Sequence, residues 1–187
     1  MFIQTEPTPN PATLKFLPGR PVMASGTADF TAPEQTESSP LAEALFRVDG
    51  VRGVFLGGDF ITVTKGDDQE WHVLKPTILG AIMEHFTAGK PVILEAAAEA
   101  AAAERQPSAD DDPVVAQIKE LLETRVRPAV AQDGGDIIFE GFERGVVYLT
   151  MHGACAGCPS STATLKMGIE NMLRHYIPEV TEVRPVY

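Results

Sequence analysis

The chain has 187 residues, of which 44% are hydrophobic, with two cysteines and a formal charge of −11. That composition suits one large or two small globular domains and excludes a fibrous or disordered chain. No apolar run approaches the roughly 20 residues of a spanning helix, because the richest stretch, residues 51–63, is broken by Arg52, Gly57, Gly58 and Asp59; no membrane partner is expected. The charge divides as −5 over residues 1–95, −4 over 96–112 and −2 over 113–187. No cluster of Lys and Arg is available to neutralise phosphates, which excludes a nucleic-acid partner.

The first residues, Met1 to Glu6, lack the charged and apolar regions of a secretory signal and the Arg/Ser-rich character of a transit peptide. A cytoplasmic location, under reducing conditions, is therefore expected. Two neighbouring cysteines in such a compartment read as metal ligands or redox thiols rather than a structural disulfide.

In chain order, Phe2 to Thr5 and Leu14 to Leu17 read as short extended segments, separated by the prolines at 7, 9 and 11. Ser39-Pro40 caps a short helix bearing Leu41, Ala44 and Leu45. Residues 51–56 and 60–64 flank Gly57-Gly58-Asp59 as a hairpin. A longer helix follows, with Leu74, Ile78, Ile82 and either His85 or Phe86 on one face and Pro76 near its start or at a kink. Trp71, Phe46, Phe55 and Phe60 read as core residues, and this half carries no chemical signature.

Residues 96–112 hold no large apolar side chain and read as an acidic, alanine-rich linker with a leaning toward helix. The fold class expected is thus α/β in the mixed, α+β sense: a domain at 1–95, a linker at 96–112 and a second domain at 113–187. In the latter, Asp110 to Asp112 and Pro113 form a helix start. Val114 or Val115, Ile118, Leu121, Leu122, Val126 and Ala129 form an apolar stripe, and Pro128 should end or bend that helix near Arg127. A turn at residues 133–136, strands at 137–142 and 146–151, a loop at 152–159, a helix at 160–175 and a last strand at 180–186 complete the order helix, strand, strand, helix, strand. Leu165, Ile169, Met172, Leu173 and Tyr176 are placed on the buried face of the last helix.

The chemistry lies in Gly153-Ala154-Cys155-Ala156-Gly157-Cys158-Pro159-Ser160-Ser161, between a strand and a helix. Two thiols two residues apart can face one metal, and small neighbours let a bulky inorganic group approach the backbone. The helix N-terminus favours thiolates, and Ser160, Ser161 and Thr162 are placed to donate to sulfur. The loop reads as one that exposes thiolates. Iron–sulfur clusters and structural zinc usually take four protein ligands, whereas the chain offers only Cys155 and Cys158. A symmetric dimer supplies the missing pair with the fewest assumptions; His152 is the nearest non-cysteine candidate. A thioredoxin-like dithiol oxidoreductase also places a Cys-x-x-Cys between strand and helix, although a hairpin rather than a parallel βαβ unit precedes the motif here. A zinc-linked or purely interaction protein is the third reading.

At these residues the sequence resembles the Nfu-type members of the NifU family of iron–sulfur cluster scaffold and carrier proteins. The resemblance runs through Asp133-Gly134-Gly135-Asp136-Ile137, the segment from Gly153 to Ser161, Thr164 to Glu170 and Pro178-Glu179-Val180. In the first half it runs through Met1 to Pro11 and Asp59 to Lys65. It implies a [4Fe-4S] cluster bridged between two subunits by Cys155 and Cys158 of each. It also implies a homodimer on cluster binding, donor machinery and apo-protein acceptors as partners, and no enzymatic turnover. The cysteine-free first domain then reads as a partner-recognition or regulatory module.

Overall fold

The computed structural model describes residues 2–103, 111–156 and 159–186. Side chains alternate between two faces along each strand of the first domain, and that alternation organises everything that follows. Strands β1 (Gln4–Pro7), β2 (Thr13–Leu17), β3 (Ala28–Phe30), β4 (Val51–Leu56) and β5 (Ile61–Lys65) form an antiparallel sheet in the order β1-β2-β5-β4-β3. Pro7 closes the edge strand, where a missing N–H costs no ladder bond. The expected β4–β5 hairpin is present: the Gly57 N–H donates to the Phe60 carbonyl at 2.9 Å. A Cβ at Gly57 would lie 2.3 Å from the Phe60 ring, so only glycine fits there.

Helices α1 (Pro40–Phe46) and α2 (Trp71–Thr87) cover one face of this sheet. Phe16, Val54, Leu56, Ile61 and Val63 point into that core to meet Leu41, Leu45, Leu74, Ile78 and Ile82. Ser39 caps α1 by accepting from the Ala42 N–H at 3.1 Å, with Pro40 at the first helical position. Pro76 sits inside α2, which runs on past it. Strand β3 and the 3-10 turn Pro33–Ser38 have no counterpart in the sequence reading. Both are too short to leave a periodic pattern.

His85, rather than Phe86 alone, is buried beneath α2, and its Nε2 has no hydrogen-bond partner among the described residues. Burial pulls its pKa below the ordinary 6.5. A folded-state pKa below the unfolded one means that the unfolded chain takes up the extra proton. Its contribution to stability is therefore intact above pH 6.5 and lost as pH falls below that value toward the folded pKa. Between pH 7 and pH 5 the wild type is expected to lose urea resistance relative to His85→Leu, as measured by the denaturation midpoints of the two proteins.

Helix α3 (Glu95–Ala103) fills the start of the linker, and α4 (Pro113–Leu121) opens the second domain. Asp112 caps α4 through the Val114 N–H at 2.9 Å. Pro128 does not end the helix that follows. The backbone widens into a π turn over Leu122–Val126 and continues as α5 (Arg127–Gln132). The wider turn relieves the clash that a proline imposes on the preceding turn. The extra residue also shifts the apolar phase, so Ile118, Leu122, Val126 and Val130 are buried while Ala129, expected in the stripe, is exposed.

Strands β6 (Gly135–Glu143) and β7 (Val146–Gly153) form an antiparallel hairpin. Helix α6 (Pro159–Tyr176) then crosses over to β8 (Glu182–Val186), which lies parallel to β7. Ile137, Val147, Leu149, Ile169, Leu173 and Val183 build the core under α4 and α5. Tyr176, expected to be buried, is instead exposed with the Arg125 guanidinium 5.0 Å above its ring, and Ile177 takes the buried position. No helix among the described residues is long and apolar enough to cross a membrane.

Candidate metal centre

The turn after β7 is shaped by two glycines with left-handed backbones, Gly134 (φ 78°) and Gly153 (φ 62°), a conformation costly for residues with a Cβ. The Ala154 N–H donates to the Gly134 carbonyl at 3.2 Å, and the Cys155 N–H to the His152 carbonyl at 3.3 Å. The first bond ties the end of β7 to the start of β6, and the second closes the turn itself. Gly135 then lets the backbone pass directly beneath the thiol, since a Cβ there would lie 2.3 Å from the Cys155 sulfur. The Thr162 hydroxyl, expected to donate to sulfur, donates instead to the Cys155 carbonyl at 3.0 Å, fixing α6 to the turn.

The expectation of an exposed thiolate at Cys155 is corrected. Only 6% of the residue is accessible, and its thiol is pushed up to about 12. Desolvation is the larger cause, followed by the negative charges of Asp133 and Asp136. Cys158, Gly157 and the side chains of Ser160 and Ser161 lie outside the described residues. His152, the alternative ligand, is turned away to the first domain: its Nδ1 is 3.6 Å from the Asp29 carboxylate and its ring meets Phe55 edge-on. Burial raises the Asp29 pKa, an effect that the His152 charge opposes. Among the described residues, no group of three or more His, Cys, Asp and Glu side chains could hold a metal ion.

Asp136, beside Gly135, is 2% exposed and carries a network that sequence reading passed over as a turn. Arg127 binds both of its carboxylate oxygens, from Nε at 2.8 Å and Nη2 at 2.5 Å, and also pairs with Glu123. The Thr27 hydroxyl donates to Asp136 at 2.5 Å and the Ile137 N–H at 2.9 Å. The pair thus pins α5 to the first residues of β6, on which the thiol rests. An acid nine residues after an arginine across a helix end is the only signal the sequence holds for it.

The other face of the five-stranded sheet completes the site. Lys15 donates to the Ala131 and Gln132 carbonyls, both at 3.1 Å, Thr62 to the Gly134 carbonyl at 2.9 Å and Asn10 to the Ala156 carbonyl at 3.2 Å. Lys15 also lies 4.8 Å above the Phe60 ring. Phe55 and Phe60, expected in the first core, are buried on this second face instead, because the strand alternation that sends Val54, Leu56 and Ile61 inward sends them outward.

The described residues thus form two small mixed domains, one of them presenting a cysteine turn at the end of a hairpin strand. The family "Scaffold protein Nfu/NifU N terminal" matches residues 3–89 and the "NifU-like domain" matches residues 118–184. The chain is 56% identical over 185 residues to "NifU-like protein 4, mitochondrial" of Arabidopsis thaliana, covering 98% of this chain and 65% of that protein. It is 53% identical over 187 residues to "NFU1 iron-sulfur cluster scaffold homolog, mitochondrial" of Homo sapiens, covering all of this chain and 72% of that one. A solution structure of a NifU-like protein from Saccharomyces cerevisiae aligns with 50% of this chain and 85% of its own, at 28% identity and a TM-score of 0.46. The chain belongs to the Nfu/NifU family of iron–sulfur cluster scaffold proteins. The cytoplasmic expectation is overturned, since relatives this similar carry mitochondrial names. The expectation rested on the character of Met1 to Glu6, and those six residues do not decide between one thiol-reducing compartment and another.

Proposed function

We propose that the chain carries a [4Fe-4S] cluster as cargo, held between two copies by Cys155 and Cys158 of each, and hands it to apo-proteins. The observation that carries this reading is the seat of Cys155: a thiol at a strand end, resting on a glycine, in a chain that has only half of a four-thiolate set. Because half the ligands belong to each subunit, separation of the two copies or attack by acceptor thiolates releases the cargo by ligand exchange. No bond of a substrate is turned over, so the role is that of a carrier and not of an enzyme. A thioredoxin-like dithiol oxidoreductase sets its Cys-x-x-Cys behind a parallel βαβ unit, whereas the antiparallel hairpin of β6 and β7 precedes Cys155 here, which favours the carrier.

Anaerobic reconstitution is expected to yield about four irons per dimer, by cluster stoichiometry, with the matching absorption and Mössbauer signatures. Cys155→Ala and Cys158→Ala are each expected to abolish that uptake. A colourless protein that reduces insulin disulfides would overturn the reading in favour of the oxidoreductase.

A further inference from the structure

An antiparallel sheet ordinarily leaves one face to water. In this protein the second face of the five-stranded sheet is covered: Lys15 is 7% exposed and Thr62 1%, and both spend their donors on backbone carbonyls of the other domain. The covered carbonyls, at residues 131, 132, 134 and 156, bracket the Cys155 turn in sequence, and Phe55 and Asp29 hold His152 from the same side. We infer that the first domain is a cap, docked over the Cys155 turn in the cluster-free monomer and displaced when two copies come together on a cluster. The inference rests on the carrier reading above.

The physical reason is competition for one surface. A bridging cluster needs the Cys155 sulfur at a face that a second copy can approach, and that sulfur packs into the second domain's core in a turn that Asn10 and Phe55 flank from the first domain. Beside the buried rings of Phe55 and Phe60, the polar part of the contact consists of side-chain donors on backbone carbonyls, a hydroxyl–carboxylate bond from Thr27 to Asp136 and the Asp29–His152 pair. Such groups regain hydrogen bonds from water when they part. The linker sequence holds no large apolar residue between 96 and 112. A covered thiol is also protected from oxidation until a second copy arrives.

The test uses the full chain in a Cys158→Ser background, so that Cys155 is the only thiol, and follows iodoacetamide alkylation by mass spectrometry without iron. Lys15→Glu sets a negative charge against the carbonyl end of α5 and is expected to speed alkylation about tenfold, the scale of losing charge-assisted hydrogen bonds. Should Lys15→Glu melt without cooperativity, the pair Asn10→Ala and Thr62→Val removes two contacts and leaves the strand pattern intact. It is expected to act in the same direction. Small-angle scattering on the unsubstituted chain is expected to show a more extended subunit after iron loading than before. Equal alkylation rates in variants that melt like the parent, or an iron-loaded dimer whose first domain stays docked, overturn the cap. Failure to take up iron at all would count against the carrier reading instead, and the alkylation rates would still decide whether the cap exists.

Discussion

Replacing Arg127 with methionine is expected to destabilise the second domain by about 3–5 kcal/mol, the usual cost of leaving a buried charge without its partner. Asp136 is nearly inaccessible, and Arg127 supplies both of its side-chain cationic contacts. With methionine at 127, the carboxylate keeps the Thr27 hydroxyl and the Ile137 N–H but loses its guanidinium, and must remain charged in a desolvated site or take up a proton. The effect is read as a shift of the urea midpoint of the full chain, with far-UV circular dichroism following both domains. The double variant Arg127→Met, Asp136→Leu is expected to recover most of the loss, because an apolar pair of similar volume avoids the desolvation penalty. If the double variant proves no more stable than the single one, the unpaired charge is not the cause.

Gly135→Ala is the second large effect, and its target is the seat of Cys155 in the proposed metal site. The added methyl would sit 2.3 Å from the Cys155 sulfur, 2.9 Å from the His152 carbonyl and 3.0 Å from the Cys155 nitrogen. Two of these three atoms are backbone, so the clash is not relieved by a side-chain rotation; the turn must move. Overpacking of this kind costs about 1–3 kcal/mol, and the displaced thiol is expected to lower iron content per dimer far more than it lowers thermal stability. Iron content and melting temperature measured on the same preparation separate the two. Gly80, where a Cβ meets nothing within 4 Å, serves as the control substitution. Gly80→Ala is expected to leave iron uptake unchanged.

Much of the second domain was legible because its signals are local. The order helix, strand, strand, helix, strand follows from turn glycines and from apolar periodicity, and Asp112-Pro113 marks the helix start where it occurs. The stripe on α4 and α5 was misread by one position at Ala129, since a π turn is set by how Pro128 fits against the preceding turn and leaves no periodic trace. Tyr176 was misplaced for a related reason: an aromatic near a helix end reads as core, and only the position of Arg125 on the neighbouring helix shows that it lies outside.

By itself the sequence determined that both cysteines fall within residues 153–161 and that residues 96–112 are acidic, alanine-rich and without a large apolar side chain. Such features depend on residue type and short spacing, which survive without coordinates. Tertiary structure alone decided that Cys155 is buried and its proton tightly held, that Asp136 is a buried partner of Arg127, and that Lys15, Thr62 and Asn10 reach the cysteine turn from far along the chain. Along a strand, Lys15 and Thr62 alternate with apolar neighbours and so read as solvent-facing. What covers that face is another domain, and no periodicity within the strand carries information about it.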